Sequence, residues 1–366
     1  MSHGSVQGFC GRMGAADGPA PHEGGPRERG EKGSRMYQMR EWIAAAEAEL
    51  DGELALERLL GTSGVRSPAP VLATGPAGGP LSWEQARDRA RDSAGQPLPV
   101  VGRALDEALG HALAAPLTAL AASADILLPA GATVTPVVAA LAAAAGHDRL
   151  VVHRRPRLEL LLLGDEFPWT GPLLASWAAH HGAEVIGRRS VARDPGCLLR
   201  EAVRGSTADV VVTIGGTGTG TDSGFGAGAR LLVDSVAVRP GHPMRLAELS
   251  PDPDGSPRLL VGLPGDPTAA VAGAVTLVVP LLRRLGGHTD PAPDSYRTAA
   301  VTALPGHPHD TRLLPVRRVA HGVGPVPCDE PARTLRGLAR AHGLAVVPPG
   351  GVPAGADVEV LVLPGA

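Results

Sequence analysis

The sequence predicts an α/β protein with a mostly parallel sheet, preceded by a helical region and followed by a small β-rich domain. Three observations carry this prediction. From Asp148 onward, apolar strand patterns alternate with helix patterns, which is typical of a parallel sheet. The run Val210–Ile214 is apolar apart from one threonine, as in a strand buried on both faces, and it stops at Gly215. After Asp294 the chain contains four strand-like runs and one helix-like run.

Composition excludes several classes of partner. A length of 366 residues allows two or three domains of roughly 100–200 residues each. A net charge of -3 and an aromatic content of 2% argue against a nucleic-acid partner. The three cysteines, Cys10, Cys197 and Cys328, are far apart and form no CxxC pair, which favours a reducing cytoplasm. We find no secretory signal and expect no membrane-spanning segment.

The first 80 residues contain little that predicts a packed core. Residues 1–35 are rich in Gly, Arg, Glu and Pro, and their composition predicts disorder. Residues 36–80 combine an amphipathic helix at Glu41–Leu60, of unknown partner, with a Pro/Gly linker at Ser67–Pro80.

Residues 81–147 predict a short helical region. Ser82 begins the sequence SWEQ, a capping box in which Gln85 reaches back to the Ser82 amide, so a helix is expected to start there. Further helices are predicted at Gly102–Ala114 and Thr135–Ala145. The segment between these two helices is ambiguous.

Residues 148–287 predict the α/β domain. Its strand patterns lie at Arg149–His153, Leu158–Leu163, Glu184–Gly187, Val210–Ile214, Leu232–Val238 and Arg258–Gly262. Three helices are predicted. The first is at Thr170–His181, the second lies just before the central strand, and the third follows the turn GLPGDP. In the third helix, Asp266 is placed as N-cap and Pro267 as the first helical residue.

Residues 295–366 predict the terminal β-rich domain. Its strand patterns lie at Tyr296–Ala303, Thr311–Val319, Leu344–Val347 and Val358–Leu363, and its one helix at Arg333–His342.

A glycine- and threonine-rich stretch follows the central strand. Glycines alternate with threonines in it: Gly215, Gly216, Thr217, Gly218, Thr219, Gly220 and Thr221. The glycines remove Cβ atoms where backbone N–H groups would approach an oxyanion, and the threonines add hydroxyls. The spacing is not GxGxxG, and no lysine follows to form a Walker loop. The stretch predicts a phosphate or oxyanion cradle, and a flexible surface loop is the alternative interpretation.

Five segments of the chain are similar to motifs that occur in the same order in one protein family. The sequence RRPR from Arg154, followed by LELLLLGDE, is similar to RRPRVAILSTGDE. GGTGTG stands in place of GGVSVG, VRPGHP in place of VKPGKP, and GLPGDP, followed by a helix containing Pro280, in place of GLPGNP. The terminal GLARAHGLAVVPPG also matches. From about Leu81 onward, the chain resembles the molybdopterin molybdenumtransferases, the MoeA family that includes the E domain of gephyrin.

This resemblance implies a fold and an activity. The α/β domain would be a molybdopterin-binding domain of the MoaB/Mog type. The activity would be the last step of molybdenum cofactor synthesis, in which molybdate is inserted into adenylated molybdopterin and AMP is released with the help of Mg²⁺. The expected partner is a molybdopterin-type small molecule in the cytoplasm, and a homodimer is left open.

The resemblance also implies site residues. Glu166 and Asp222 would be catalytic, and Asp165 and Glu166 would hold the metal. Arg239 and His242 stand where the family has two lysines suited to molybdate or phosphate. The residues expected to bind molybdopterin or phosphate are Gly215, Gly216, Thr217, Gly218, Thr219, Gly220, Pro264, Gly265, Asp266 and Pro267. Simple helix capping is the alternative role for Glu166 and Asp222, and helix initiation for Pro267.

Three departures from the family pattern bear on function. The segment DNSAMDGYA, which supplies an acid, has no counterpart between Ala114 and Pro129. The acid that follows GGVSVG in the family aligns with Thr221 or Ser223 in this chain, and Asp222 is the only acid nearby. Asp266 replaces an asparagine and adds a negative charge.

Two other functions therefore remain open. One is a binding or regulatory protein that has lost turnover. The other is a molybdopterin adenylyltransferase, to whose loop GGTGTG is closer. The histidine-rich sequences at His180–His181 and His307–Asp310 are weaker candidates for metal sites.

Overall fold

The computed structural model describes residues 79–119, 125–164, 168–192, 197–215, 229–251, 258–289, 295–326 and 333–364. The disorder predicted for residues 1–35 and the helix predicted at Glu41–Leu60 lie outside these ranges. Most of the glycine- and threonine-rich stretch also lies outside them.

The first described helix begins at the predicted capping box. Helix α1 spans Trp83–Ser93; the Ser82 hydroxyl accepts a hydrogen bond from the Gln85 amide (3.2 Å), and the Ser82 amide donates to Gln85 Oε1 (3.0 Å). The indole Nε1 of Trp83 donates to Thr276 Oγ1 at 3.1 Å. These contacts confirm the predicted helix start and dock α1 on the long helix of the α/β domain.

The helix predicted at Gly102–Ala114 is wrong. Residues Val100–Ala104 form strand β1, and residues 105–110 form turns. Strand β1 pairs antiparallel with a strand at Arg149–His153, where Gly102 lies opposite Val151. Val100 and Val101 are β-branched and favour an extended backbone, and the pairing with a distant strand decides the outcome.

The rest of residues 81–147 is also mixed rather than helical. The ambiguous segment contains the short strands β2 (Leu117–Thr118) and β3 (Ile126–Leu128). Helix α2 (Pro136–Ala144) confirms the helix predicted at Thr135–Ala145, with the Thr135 hydroxyl as its N-cap.

The α/β domain is built on a six-stranded sheet. The strands that follow α2 are β4 (Arg149–His153), β5 (Arg157–Leu163), β6 (Glu184–Val191), β7 (Val210–Ile214), β8 (Arg230–Val233), β9 (Val238–Arg239), β10 (Arg245–Leu249) and β11 (Arg258–Leu263). The sheet order is β6-β5-β7-β11-β10-β8. The first four strands of this order are parallel, whereas β10 and β8 are antiparallel to their neighbours. All five residues of β7 are buried, as the sequence predicted for the central strand.

Two strand predictions need correction. The strand predicted at Leu232–Val238 is in fact two strands, β8 and β9, which belong to different sheets. Strand β10 was not predicted, because its alternation of charged and apolar residues is short. Strand β4, predicted as part of the parallel sheet, instead forms a two-stranded sheet with β1.

The helices of this domain pack on both sides of the parallel strands. They are α3 (Thr170–His180), α4 (Cys197–Arg204), and a 19-residue helix made of α5 (Pro267–Gly273), a π-helical turn (Ala274–Val278) and α6 (Val279–Leu285). Pro280 has no N–H to donate to the carbonyl of Thr276, which accounts for the irregular turn just before it. The 19-residue helix is long and apolar enough to cross a bilayer, but 89% of its apolar window is buried inside the protein.

The terminal residues form a second sheet. Its elements are β12 (Ser295–Ala299), β13 (Thr311–Val319), β14 (Gly322–Pro325), helix α7 (Arg333–Arg340), β15 (Gly343–Val347) and β16 (Asp357–Val362), in the sheet order β12-β16-β15-β13-β14. Strand β9 joins this sheet by pairing in parallel with β13. Leu313, Leu344 and Leu361 pack into the core of the α/β domain, while Ala345 and Val360 belong to a second core.

Candidate functional site

Three chain segments leave the parallel sheet at the same edge. Ile214 at the end of β7 is in register with Leu162 of β5 and with Leu263 of β11. Gly164, Gly215 and Pro264, which directly follow these strands, therefore lie next to one another. Ligands of open parallel sheets bind at the carboxyl ends of the strands, so this edge is the candidate site.

Gly215 turns the chain away from β7 in a way that requires glycine. Its φ is +88°, in the left-handed region, and its amide donates to the Leu263 carbonyl at 2.8 Å. A Cβ atom built on Gly215 would lie 2.9 Å from the carbonyl oxygen of Leu163. The absence of a side chain at Gly215 thus lets the ends of β5, β7 and β11 lie close together at the start of the predicted cradle. The other cradle residues, 216–220, lie outside the described residues, as do Asp165, Glu166 and Asp222.

The GLPGDP turn is held by its own capping and by a neighbouring helix. Asp266 Oδ1 accepts a hydrogen bond from the Ala269 amide at 2.9 Å, which confirms Asp266 as the N-cap of the helix that begins at Pro267. The hydroxyl of the fully buried Thr170 donates to the Gly265 carbonyl at 3.1 Å. The negative charge of Asp266 therefore lies against a helix N-terminus, where the helix dipole favours it.

Arg239 has a carboxylate partner from the terminal sheet. Its Nε donates to Asp310 Oδ2 at 2.8 Å, and the side chains are 27% and 9% exposed. Two residues later, Gly241 has a φ of +107°, and a Cβ there would lie 3.1 Å from the Ala269 carbonyl. The VRPGHP segment thus contacts the first turn of α5, and the half-buried His242 belongs to the same loop. The structure therefore brings the loop that follows Arg239 into contact with the helix that begins at Pro267.

Arg312 was missed in the sequence analysis. In the β9–β13 pairing, Arg312 lies directly opposite Arg239. Its Nη1 is buried and has no hydrogen-bond partner in the described part of the chain. The two arginines thus lie on neighbouring strands, and an anion bound by both side chains would be attracted by two positive charges. The sequence carries no signal for this pair, because it arises from a register between strands far apart in the chain.

Thr268, the residue after Pro267, is a second polar side chain that the sequence did not single out. It is 9% exposed, and its hydroxyl has no hydrogen-bond partner among the residues that the structure describes. Buried hydroxyls are normally hydrogen-bonded. Its position in the first turn of α5 makes it a candidate ligand contact.

The RRPR motif is placed away from this site. Arg154 donates from Nη1 and Nη2 to the two carboxylate oxygens of Asp209, both at 2.9 Å, and the amide of Arg157 donates to Asp209 Oδ2 at 2.6 Å. Asp209 directly precedes β7 and Arg157 begins β5, so the pair joins the amino ends of these strands. Arg154 therefore stabilises the sheet at the edge opposite the candidate site.

The two histidine-rich sequences do not assemble a metal site in the described ranges. There, no three His, Cys, Asp or Glu side chains are grouped so as to hold a metal ion. His307 Nδ1 accepts a hydrogen bond from the Asp310 amide at 3.0 Å, which orders the turn before β13. His181 is buried at the end of α3, and burial is the main reason why its pKa falls to about 3. A neutral His181 at that position suits the apolar core around it.

The chain is similar in sequence to known proteins. A family model described as "Probable molybdopterin binding domain" matches residues 168–284. A molybdopterin molybdenumtransferase from Nostoc sp. is 28% identical over 281 residues, which cover 65% of this chain and 60% of the relative. Molybdopterin molybdenumtransferase 1 of Mycobacterium tuberculosis is 30% identical over 254 residues, or 62% of this chain and 58% of the relative. The chain spans about 60% of the length of these relatives.

Solved structures show the same fold. A molybdenum cofactor biosynthesis protein from Pyrococcus furiosus superposes with a TM-score of 0.64 at 19% identity, covering 78% of this chain and all of that one. A molybdopterin biosynthesis MoeA protein from Pyrococcus horikoshii gives a TM-score of 0.64 at 17% identity, with coverage of 79% and 100%. The resemblance predicted from the motifs is thereby confirmed in sequence and in fold, and the mixed α/β class is confirmed with it.

Proposed function

We propose that the chain is a MoeA-type molybdopterin molybdenumtransferase, which inserts molybdate into adenylated molybdopterin and releases AMP during molybdenum cofactor biosynthesis. One observation carries the proposal: the capped GLPGDP turn lies beside the end of β7, with Gly215 bonded to Leu263 at the junction. The similarity to named molybdenumtransferases supports the same conclusion.

In this proposal the strand edge binds tetrahedral oxyanions. Gly215 would begin the cradle, and the backbone N–H groups of Gly216–Gly220 and of Thr268 would donate to phosphate or molybdate oxygens. Thr217, Thr219 and Thr268 would add hydroxyl donors. Pro264 and Gly265 would shape the turn that faces the pterin.

The cationic side chains would hold molybdate or the phosphate. Arg239 and Arg312 lie opposite each other in the β9–β13 register, and His242 lies in the loop that begins at Arg239. A tetrahedral dianion bound by both guanidiniums would receive charge-assisted hydrogen bonds from each of them. In this arrangement the terminal sheet contributes directly to the site.

Acidic residues would complete the chemistry. Asp165 and Glu166 follow Gly164 after the end of β5, and their carboxylate oxygens are the hard ligands that suit Mg²⁺. Such an ion, when bound, would neutralise charge on the phosphate oxygens. Asp222, in the segment after β7, is the second proposed catalytic acid.

Reconstitution tests this function. The protein would be mixed with adenylated molybdopterin, molybdate and Mg²⁺, and activation of a molybdenum-free apoenzyme would be measured. Glu166→Gln removes the charge proposed to hold the metal, and Glu184→Gln, at an exposed position at the start of β6, is the matched control. Activity of the wild type and of Glu184→Gln but not of Glu166→Gln supports the proposal. A wild type without activity contradicts it.

One alternative follows from the shortened front half. If the lost DNSAMDGYA acid is essential, the chain would bind molybdopterin without turnover, as a binding or regulatory protein. Calorimetric binding of molybdopterin together with failed reconstitution would identify this case. ATP-dependent adenylation of molybdopterin would instead identify an adenylyltransferase.

A homodimer, which the sequence leaves open, belongs to the same proposal. Size-exclusion chromatography with light scattering would measure the oligomeric state of the full chain. We also propose the domain division given above, with the molybdopterin-binding domain at 148–287, in which β4 pairs with β1 of the preceding region, and the terminal domain at 295–366.

A further inference from the structure

Asp310 is fixed on both sides before β13 begins. Its own amide donates to His307 Nδ1 at 3.0 Å, and the amide of the next residue, Thr311, donates to the Ala237 carbonyl at 3.0 Å. Its carboxylate is 9% exposed and accepts the Nε–H of Arg239. The carboxylate therefore has little freedom to move, and its position is set by the terminal sheet.

This contact fixes the orientation of Arg239. A guanidinium is planar, so holding Nε determines the plane in which both terminal nitrogens lie. The backbone of the same loop is placed by Gly241, which packs against the Ala269 carbonyl in the first turn of α5. The terminal sheet thus holds Arg239 at both its backbone and its side chain, while the loop that follows Arg239 packs against α5 of the α/β domain.

We infer that Asp310 is a positioning residue for oxyanion binding, which holds the Arg239 guanidinium in the orientation that receives molybdate or phosphate beside Arg312. The inference rests on the proposed function, because it assigns a role within the anion site. It goes beyond that function by giving the terminal domain a residue that acts through Arg239.

The carboxylate has two effects of opposite sign on an anion. Its negative charge opposes anion binding through the Coulomb interaction, while its hydrogen bond holds the guanidinium in place and lowers the entropy lost on binding. Asp310→Asn removes the charge but keeps an oxygen acceptor for Arg239 Nε. Asp310→Ala removes both. The pair of variants therefore separates orientation from charge.

The test is molybdate binding to the full chain by calorimetry, with sulfate as a competing tetrahedral anion. We expect Asp310→Ala to weaken molybdate binding by about tenfold and Asp310→Asn to bind within about threefold of the wild type. Glu248→Ala is the matched control, because it removes the carboxylate partner of Arg230 at an exposed sheet edge. In the reconstitution assay, Asp310→Ala should raise the KM for molybdate and leave kcat close to that of the wild type.

The outcomes separate this inference from the function on which it rests. Molybdate binding by Asp310→Ala as tight as, or tighter than, that of the wild type overturns the inference alone, because Asp310 would then only neutralise charge. Equal losses in Asp310→Asn and Asp310→Ala, with a matching fall in Tm, also overturn it, because the role would be structural. A wild type that binds neither anion overturns both the inference and the proposed function.

Discussion

Gly215, in the candidate site, requires glycine for two reasons, its backbone conformation and its close packing. Its φ is +88°, and a Cβ would lie 2.9 Å from the Leu163 carbonyl. We expect Gly215→Ala to lower the free energy of unfolding by about 3 kcal/mol, because a left-handed alanine alone costs about 1–2 kcal/mol and the contact adds to it.

A second glycine provides the matched control for this prediction. Gly355 has a φ of +82° but no heavy atom within 4 Å of its would-be Cβ. Gly355→Ala should therefore cost only the backbone part, about 1–2 kcal/mol. Urea unfolding measures both variants, and equal losses would show that the Leu163 contact has no energetic weight.

Arg154 illustrates a motif residue whose role is stability. Asp209 is buried and its carboxylate accepts hydrogen bonds from both terminal nitrogens of Arg154, so Arg154→Ala leaves a buried carboxylate without its cation. We expect a loss of about 2 kcal/mol in the free energy of unfolding, with kcat/KM in the reconstitution assay unchanged below the melting temperature. Arg91→Ala, which breaks an exposed pair with Asp88, should cost under about 0.5 kcal/mol. A fall in kcat/KM for Arg154→Ala would place that residue in the site instead.

At the scale of elements, α1 is docked to the π-helical turn by two hydrogen bonds, from Arg87 to the Val275 carbonyl and from the buried indole of Trp83. Trp83 Nε1 donates to Thr276 Oγ1, and Thr276 is fully buried. Thr276→Val leaves the indole N–H without its partner and should cost about 1–3 kcal/mol in the free energy of unfolding.

The same bond makes a sharper prediction for two substitutions together. In the double variant with Trp83→Phe, both hydrogen-bonding groups are gone, so the double variant should lose less than the sum of the single losses. Urea unfolding of the three variants measures the coupling. Additive losses would mean that the bond does not stabilise the docking of α1.

Elements set by local signals were predictable, and those set by distant pairing were not. The capping box at Ser82 and the N-cap at Asp266 depend on residues within four positions, and both are confirmed. Strand β1 depends instead on β4, whose paired residues are about fifty positions away. The same cause explains why one predicted strand, at Leu232–Val238, divides between two sheets.

The candidate site divides in the same way. The turn at Asp266 and the glycine after β7 could be predicted, because each is a strand end with its own turn chemistry. Arg312 could not, because only the β9–β13 register places it opposite Arg239. The pairing of Arg239 with Asp310 likewise joins residues of two separate sheets.

At the scale of the whole molecule, buried histidines connect several segments. His288, just after α6, hydrogen-bonds to Thr133, while His111 Nδ1 contacts the His153 carbonyl at 2.8 Å. Burial is the main cause that lowers the pKa of His288 to about 4, and Arg283, His111, His153 and Arg155 lower it further. The pKa of His181 is lowered to about 3, mainly by burial and then by His180, Arg283 and His288. These groups are therefore neutral in the folded protein at neutral pH.

The stability of the fold should consequently fall in mild acid. An unfolded histidine titrates near pH 6.5, so between pH 6.5 and about 4 the unfolded chain binds protons that folded His181 and His288 reject. The free energy of unfolding should be independent of these groups above pH 7 and lower by about 2 kcal/mol for each of them at pH 5.

His288→Asn keeps a polar group near Thr133 but does not titrate. At pH 8 the difference in the free energy of unfolding between the wild type and His288→Asn gives the packing cost of the substitution. At pH 5 this difference should be smaller by about 2 kcal/mol, because only the wild type is destabilised by the titration of His288. Urea unfolding at both pH values gives these quantities, and a difference that stays constant would show that His288 is protonated equally in both states.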